Sequence, residues 1–109
     1  MMGVFTTRGK LLKVNRSWEQ VLGYTVEELL KMDWTKLIHP DDVEATNKTV
    51  EKQLKGKLVA SFINRYRHKD SSYKLLEWKA TAAIDNIVYA TARDITEKKL
   101  IQKTAKNKK

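Results

Sequence analysis

Leu58-Val59-Ala60-Ser61-Phe62-Ile63-Asn64-Arg65-Tyr66-Arg67-His68 begins the stretch that decides the fold of this 109-residue chain. Apolar and polar side chains alternate along it, the period-two pattern of a half-buried strand. The pattern returns over about residues 73–83 and 87–95, with Asp70-Ser71-Ser72 and Asp85-Asn86 as the turns between the three strands. Leu58, Ala60, Phe62, Asn64 and Tyr66 form one set on the first of them, opposite Ser61, Ile63, Arg65 and Arg67. Leu76, Trp78, Ala80 and Ala82 share a side on the next, and Val88, Ala90, Ala92 and Asp94 on the last. The opposite sets carry most of the charge and need water, so the first-named sets are expected to face inward.

Upstream, Val4-Phe5-Thr6 and Leu11-Leu12-Lys13-Val14 read as two more short strands around a Thr7-Arg8-Gly9-Lys10 hairpin turn. Asn15 stands where a helix N-cap is wanted, ahead of Ser17–Leu22, and Trp18, Val21 and Leu22 fall on one face of that helix. Gly23 follows as its C′ residue. Thr25-Val26-Glu27-Glu28 matches the capping box of a second short helix, with Leu29, Leu30 and Met32 as its apolar side. Trp34, Leu37 and Ile38 suggest a single helical turn, ended by Pro40. Asp41 then caps the longest helix, about residues 42–55, on which Val43, Asn47, Val50 and Leu54 share a stripe. A polar amide on that stripe, Asn47, requires a bonding partner. Five strands with helices inserted between the second and third define an α+β domain over residues 1–96, leaving 97–109 as a Lys-rich connector helix or tail.

Composition narrows the function classes. A chain of this length, 41% hydrophobic and 32% charged, suits one globular domain with one modest core. It has no cysteine, which removes disulfides, thiolate metal sites and any cysteine-linked chromophore, and fits a cytoplasmic setting. No apolar run approaches the roughly 20 residues of a membrane span, and Met1-Met2-Gly3 lacks the regions of a signal peptide. The net charge is +9, but six lysines and Glu97 give the last thirteen residues +5 of it, leaving +4 over residues 1–96. That is a basic tail rather than a basic face, so specific nucleic-acid binding is not expected.

Taken in order, Asn15, Leu22-Gly23-Tyr24, Glu27-Glu28-Leu29, His39-Pro40-Asp41-Asp42, Arg65-Tyr66-Arg67-His68-Lys69-Asp70 and Arg93-Asp94-Ile95-Thr96-Glu97 resemble the signatures of a PAS sensory domain. The resemblance spans nearly the whole chain. It implies a five-stranded antiparallel sheet of order 2-1-5-4-3, with short helices and one longer helix on one face. It also implies a non-catalytic sensory or dimerisation module of a signalling protein, such as a sensor histidine kinase or a cyclic-dinucleotide enzyme, with itself and a C-terminal output domain as partners. Carried over by position, the ligand pocket would be lined by Asn47, Val50, Phe62, Asn64, Tyr66, Leu76, Trp78, Ala90 and Ala92. Asp94, Ile95 and Thr96 would relay the signal into an outgoing helix carrying Leu100, Ile101 and Thr104, while Asn15, Gly23, His39, Pro40, Asp41 and Asp42 would be structural. Ser71 departs from the family's usual turn glycine.

Several readings stand side by side. The inner face is either a small-molecule pocket or a solid core with Asn47 and Asn64 bonded internally. A solid core suits a ligand-free interaction domain; a small basic nucleic-acid binder is the remaining alternative. Flavin-adduct chemistry lacks its cysteine, and the haem ligation of related domains lacks its histidine, since residues 42–55 contain none. No cofactor is therefore the expectation, with a noncovalent flavin or a small metabolite as the alternative. Asp41-Asp42 has no third ligand for a metal, and no nucleophile stands with a matched base and acid.

Overall fold

A computed structural model describes residues 1–97; the predicted connector stripe at Leu100, Ile101 and Thr104 lies outside the described residues. The strands are β1 Met2–Thr6, β2 Leu11–Val14, β3 Val59–Arg67, β4 Tyr73–Ala80 and β5 Ile87–Asp94. They form one antiparallel sheet in the order β2-β1-β5-β4-β3, as the resemblance implied. Helices α1 Ser17–Leu22, α2 Val26–Leu30 and α3 Val43–Leu54, with 3-10 turns at Trp34–Leu37 and Pro40–Asp42, connect β2 to β3.

Local signals place most of these elements. Gly23 ends α1 at φ +82°, and its N–H donates to the Glu19 carbonyl at 2.9 Å. A Cβ there would lie 2.8 Å from the His68 ring, so the position excludes a side chain as well as requiring left-handed backbone. The Thr25 hydroxyl accepts from Glu28 N at 3.0 Å and the Glu28 carboxylate from Thr25 N at 2.9 Å, a complete capping box. Ser71 adopts φ +76° in the β3–β4 turn, where Asp70 Oδ1 accepts from the backbone N–H of Ser72 at 2.8 Å. Asp85 and Asn86, both at positive φ, turn β4 into β5. The helical segment is tied to the end of β3 and to the turn that follows it: His39 N donates to the Arg65 carbonyl, and Lys69 N to the Leu22 carbonyl.

The core forms between the helices and one sheet face. Trp18, Leu22, Leu29 and Leu76 are fully buried. The Phe5 ring lies 5.6–5.9 Å from the rings of Trp18, Trp34 and Trp78, so one aromatic side chain of β1 joins α1, the first 3-10 turn and β4. Each such pair contributes about 0.5–1.5 kcal/mol beyond the area it buries.

Four expectations are corrected. Asn15 does not cap α1; its Oδ1 accepts from Met2 N at 3.0 Å, fastening β1 instead, and the position before the helix is Arg16 without a side-chain bond. Asp41 does not cap α3. A 3-10 turn intervenes, in which His39 Nδ1 accepts from Asp41 N at 3.0 Å. Leu58 and Ala60 face solvent, Leu58 at 71% exposure, because three residues of β3 from Val59 to Phe62 span two of β4 from Ala80 to Trp78. That bulge slips the alternation by one and turns Val59 inward. At the other end of the sheet Asp94 is exposed and Ile95 is buried. β5 stops at Asp94, Ile95 N donates to the Leu75 carbonyl at 2.9 Å, and the Ile95 side chain is buried.

Candidate functional site: an inner wall and an exit

The face of α3 that meets the sheet is polar, and this corrects the stripe read from the sequence. Asn47 is exposed and lines nothing, as are Val43 and Leu54. Thr46 and Gln53 are buried instead, one turn before and one turn after Thr49 and Val50 on the same side. Gln53 Nε2 donates to the Thr81 carbonyl at 2.9 Å, and the Gln53 carbonyl accepts from Ala83 N, so the end of α3 is tied to the end of β4.

Thr46 begins a chain of hydrogen bonds through the wall. Its hydroxyl donates to the Asp42 carbonyl at 2.8 Å and accepts from Asn64 Nδ2 at 3.2 Å; Asn64 Oδ1 accepts from Trp78 Nε1 at 2.7 Å. Asn64, only 3% exposed, thereby joins α3, β3 and β4. Beyond Thr46 the chain reaches a surface ion pair: Asp42 accepts from Arg65 Nε, NH2 and backbone N at 2.8–2.9 Å. The Arg65 side chain beside it holds the Asp42 carboxyl below its ordinary value, against a smaller opposing effect of burial.

Between α3 and the sheet lies a cavity of about 60 Å³. It is lined by six of the nine predicted pocket residues, Val50, Phe62, Asn64, Tyr66, Trp78 and Ala90. Leu76 and Ala92 are buried in the core but do not line it, and Asn47 is outside. Phe5, Trp34, Thr46, Gln53, Val59 and Val88 complete much of the wall without having been singled out. Thr46 and Gln53 stand seven apart, a helical repeat that was legible as a polar stripe but not as an inward one. Ligand pockets run to about 300–1,000 Å³, several times this volume. Among the described residues no group of three or more His, Asp or Glu side chains is placed to hold a metal ion.

The exit is a second polar knot. Asp94 Oδ1 accepts from Thr96 N at 2.9 Å and from the Thr96 hydroxyl, whose oxygen accepts from Leu75 N at 2.8 Å. Together with the Ile95–Leu75 bond, this grips the chain end against β4 just before Leu76, which pairs with Asp94 in register. All three predicted relay residues therefore meet here. Gly23 ends α1, and His39, Pro40 and Asp41 lie at the second 3-10 turn, which His39 caps by accepting from Asp41 N.

This architecture, a five-stranded sheet with a helical insertion and a long helix over its inner face, defines the class: an α+β sensory-domain fold. The chain belongs to the PAS-fold family, whose model matches residues 11–87. Solved structures agree in fold. The Drosophila melanogaster Cycle PAS-B domain with bound ethylene glycol superposes at TM-score 0.76 and 21% identity, covering 85% of this chain and 97% of that one. A domain of a sensory box sensor histidine kinase/response regulator from Geobacter sulfurreducens gives 0.69 and 20%, covering 85% and 81%. The N-terminal domain of a diguanylate cyclase with a PAS/PAC sensor from Marinobacter aquaeolei gives 0.74 and 20%, covering 89% and 95%. No curated protein sequence matches the chain. No helix among the described residues is long and apolar enough to cross a membrane.

Proposed function

We propose that this PAS domain senses the state of its inner wall and passes it through Asp94, Ile95 and Thr96 to an output domain that follows. One observation carries the reading: the exit is hydrogen-bonded to β4 at Leu75, and the same strand carries Trp78, which the inner wall holds through Asn64. A change in how Trp78 sits acts on the strand that holds the exit. PAS domains are generally non-catalytic sensory modules, and catalysis is assigned to the output domain. A histidine kinase or a cyclic-dinucleotide enzyme suits that role, since solved relatives of both kinds share the fold. The Cycle domain, bound to ethylene glycol, supports a small-molecule stimulus.

Homodimerisation is assigned to the outer sheet face. There Met2, Leu58 and Tyr89 are each more than half exposed around a groove of about 850 Å³. The domain is placed in the cytoplasm, and specific nucleic-acid binding is not part of the proposal. A ligand-free interaction domain is the second reading, favoured by the small volume of the cavity. Asp94→Ala in the full-length protein separates the two. The relay reading expects stimulus-dependent output to be lost with the domain still folded; unchanged output refutes it.

A further inference from the structure

One wall group stands apart from the hydrogen-bonded chain. Tyr66 is 2% exposed, packed between Trp18 and Trp78, and lines the cavity. Its hydroxyl forms no hydrogen bond among the described residues, yet no fully sealed side-chain polar atom there is left without a partner. The hydroxyl is therefore not walled in. The cavity is the described free space that Tyr66 lines.

The other polar groups of the wall are largely committed. Asn64 Oδ1 is taken by Trp78, and the Thr46 hydroxyl proton by the Asp42 carbonyl. No lining side chain carries a formal charge. An ion entering here would lose its hydration without a counter-ion, at a cost of several kcal/mol. Burial also pushes the Tyr66 ionisation upward, so the phenol keeps its proton and remains a donor.

Resting on the sensory reading of this cavity, we propose that its ligand is a small uncharged molecule whose hydrogen-bond acceptor is met by the Tyr66 hydroxyl. Size follows from volume. The cavity of about 60 Å³ is far below the roughly 300–1,000 Å³ of pockets for drug-sized ligands, so the ligand has only a few heavy atoms.

Acetone and acetate test this directly, because they are close in shape and differ in charge. Both are titrated into the isotope-labelled protein while the Trp78 indole N–H and the β3 amides are followed by NMR. Acetone should give saturable shifts with Kd on the order of millimolar, in keeping with the affinity available to four heavy atoms. Acetate should give none. Tyr66→Phe, which keeps the ring, should weaken acetone about tenfold, the loss of one hydrogen bond. Absent acetone saturation, equal binding of acetate, or unchanged affinity in Tyr66→Phe would each overturn the proposal. If Tyr66→Phe disturbs the fold, the acetone and acetate arms still decide. The Asp94→Ala experiment reads output alone, so failure of the ligand class and failure of the relay are told apart.

Discussion

The inner wall and the exit are built from similar parts, yet their surroundings differ. In the wall, Asn64 grips the Thr46 hydroxyl and the Trp78 indole in full burial. At the exit, Asp94 grips the Thr96 hydroxyl and backbone at the surface. Breaking a buried network strands its surviving partners away from water, at about 1–3 kcal/mol per group. Breaking an exposed one lets water substitute. Stability should therefore reside in the wall, while the exit can be altered at little thermodynamic cost. A relay needs an end that can change without unfolding the domain.

The largest expected effect tests the wall. Trp78→Ala removes a buried indole that touches Phe5, Trp18 and Tyr66. It should destabilise by about 3–5 kcal/mol, read as a lower urea midpoint. A cost below ~1 kcal/mol would show that the wall collapses freely around the gap. Asn64→Ala should cost about 1–3 kcal/mol, because the indole N–H loses its acceptor. Combined with Trp78→Phe, the penalties should be less than additive, since the double variant leaves no indole N–H to satisfy.

Asp42→Asn comes next and has a pH signature. The carboxyl is held below its ordinary 3.8 by Arg65, so the folded value is lower than the unfolded one. The contribution is complete above about pH 4 and fades as pH falls through the folded value. Wild type should exceed Asp42→Asn by about 1–2 kcal/mol at pH 7, with melting temperatures converging toward pH 2. A gap that widens in acid would reverse the assignment. At the exit, Asp94→Ala should cost less than ~1 kcal/mol; a loss equal to that of Asn64→Ala would erase the distinction between the two regions.

The sequence made these regions legible to different degrees, for physical reasons. Gly23, the Thr25–Glu28 box and the turn at Ser71 are local devices, whose partners lie within a few residues, and each was readable; Asp94 and Thr96 were named from the family resemblance, while strand alternation turned Asp94 inward. Leu75, the partner of the exit, lies 21 residues from Thr96 and was not. The phase of α3 failed because hydrophobicity marks an inward face only when that face is apolar. Here it is satisfied by Thr46 and Gln53, whose partners Asn64 and Thr81 are 18 and 28 residues away. Val43 and Leu54, the apolar pair that suggested the opposite phase, are simply exposed. Leu58 and Ala60 were misplaced by a bulge, which pairing reveals and strict alternation conceals.

The claim that wall and exit are coupled can be read at one backbone amide. Leu75 N–H donates to the Thr96 hydroxyl, and Thr46 lies on α3, reaching β4 only through Asn64 and Trp78 in the chain of hydrogen bonds. Thr46→Val keeps the shape and removes that link. Amide hydrogen exchange of Leu75 should change in Thr46→Val by more than that of Val4, a β1 residue paired with strands on both sides and outside the proposed path. Equal changes at both would reflect lost stability alone and would contradict the account, as would no change at Leu75.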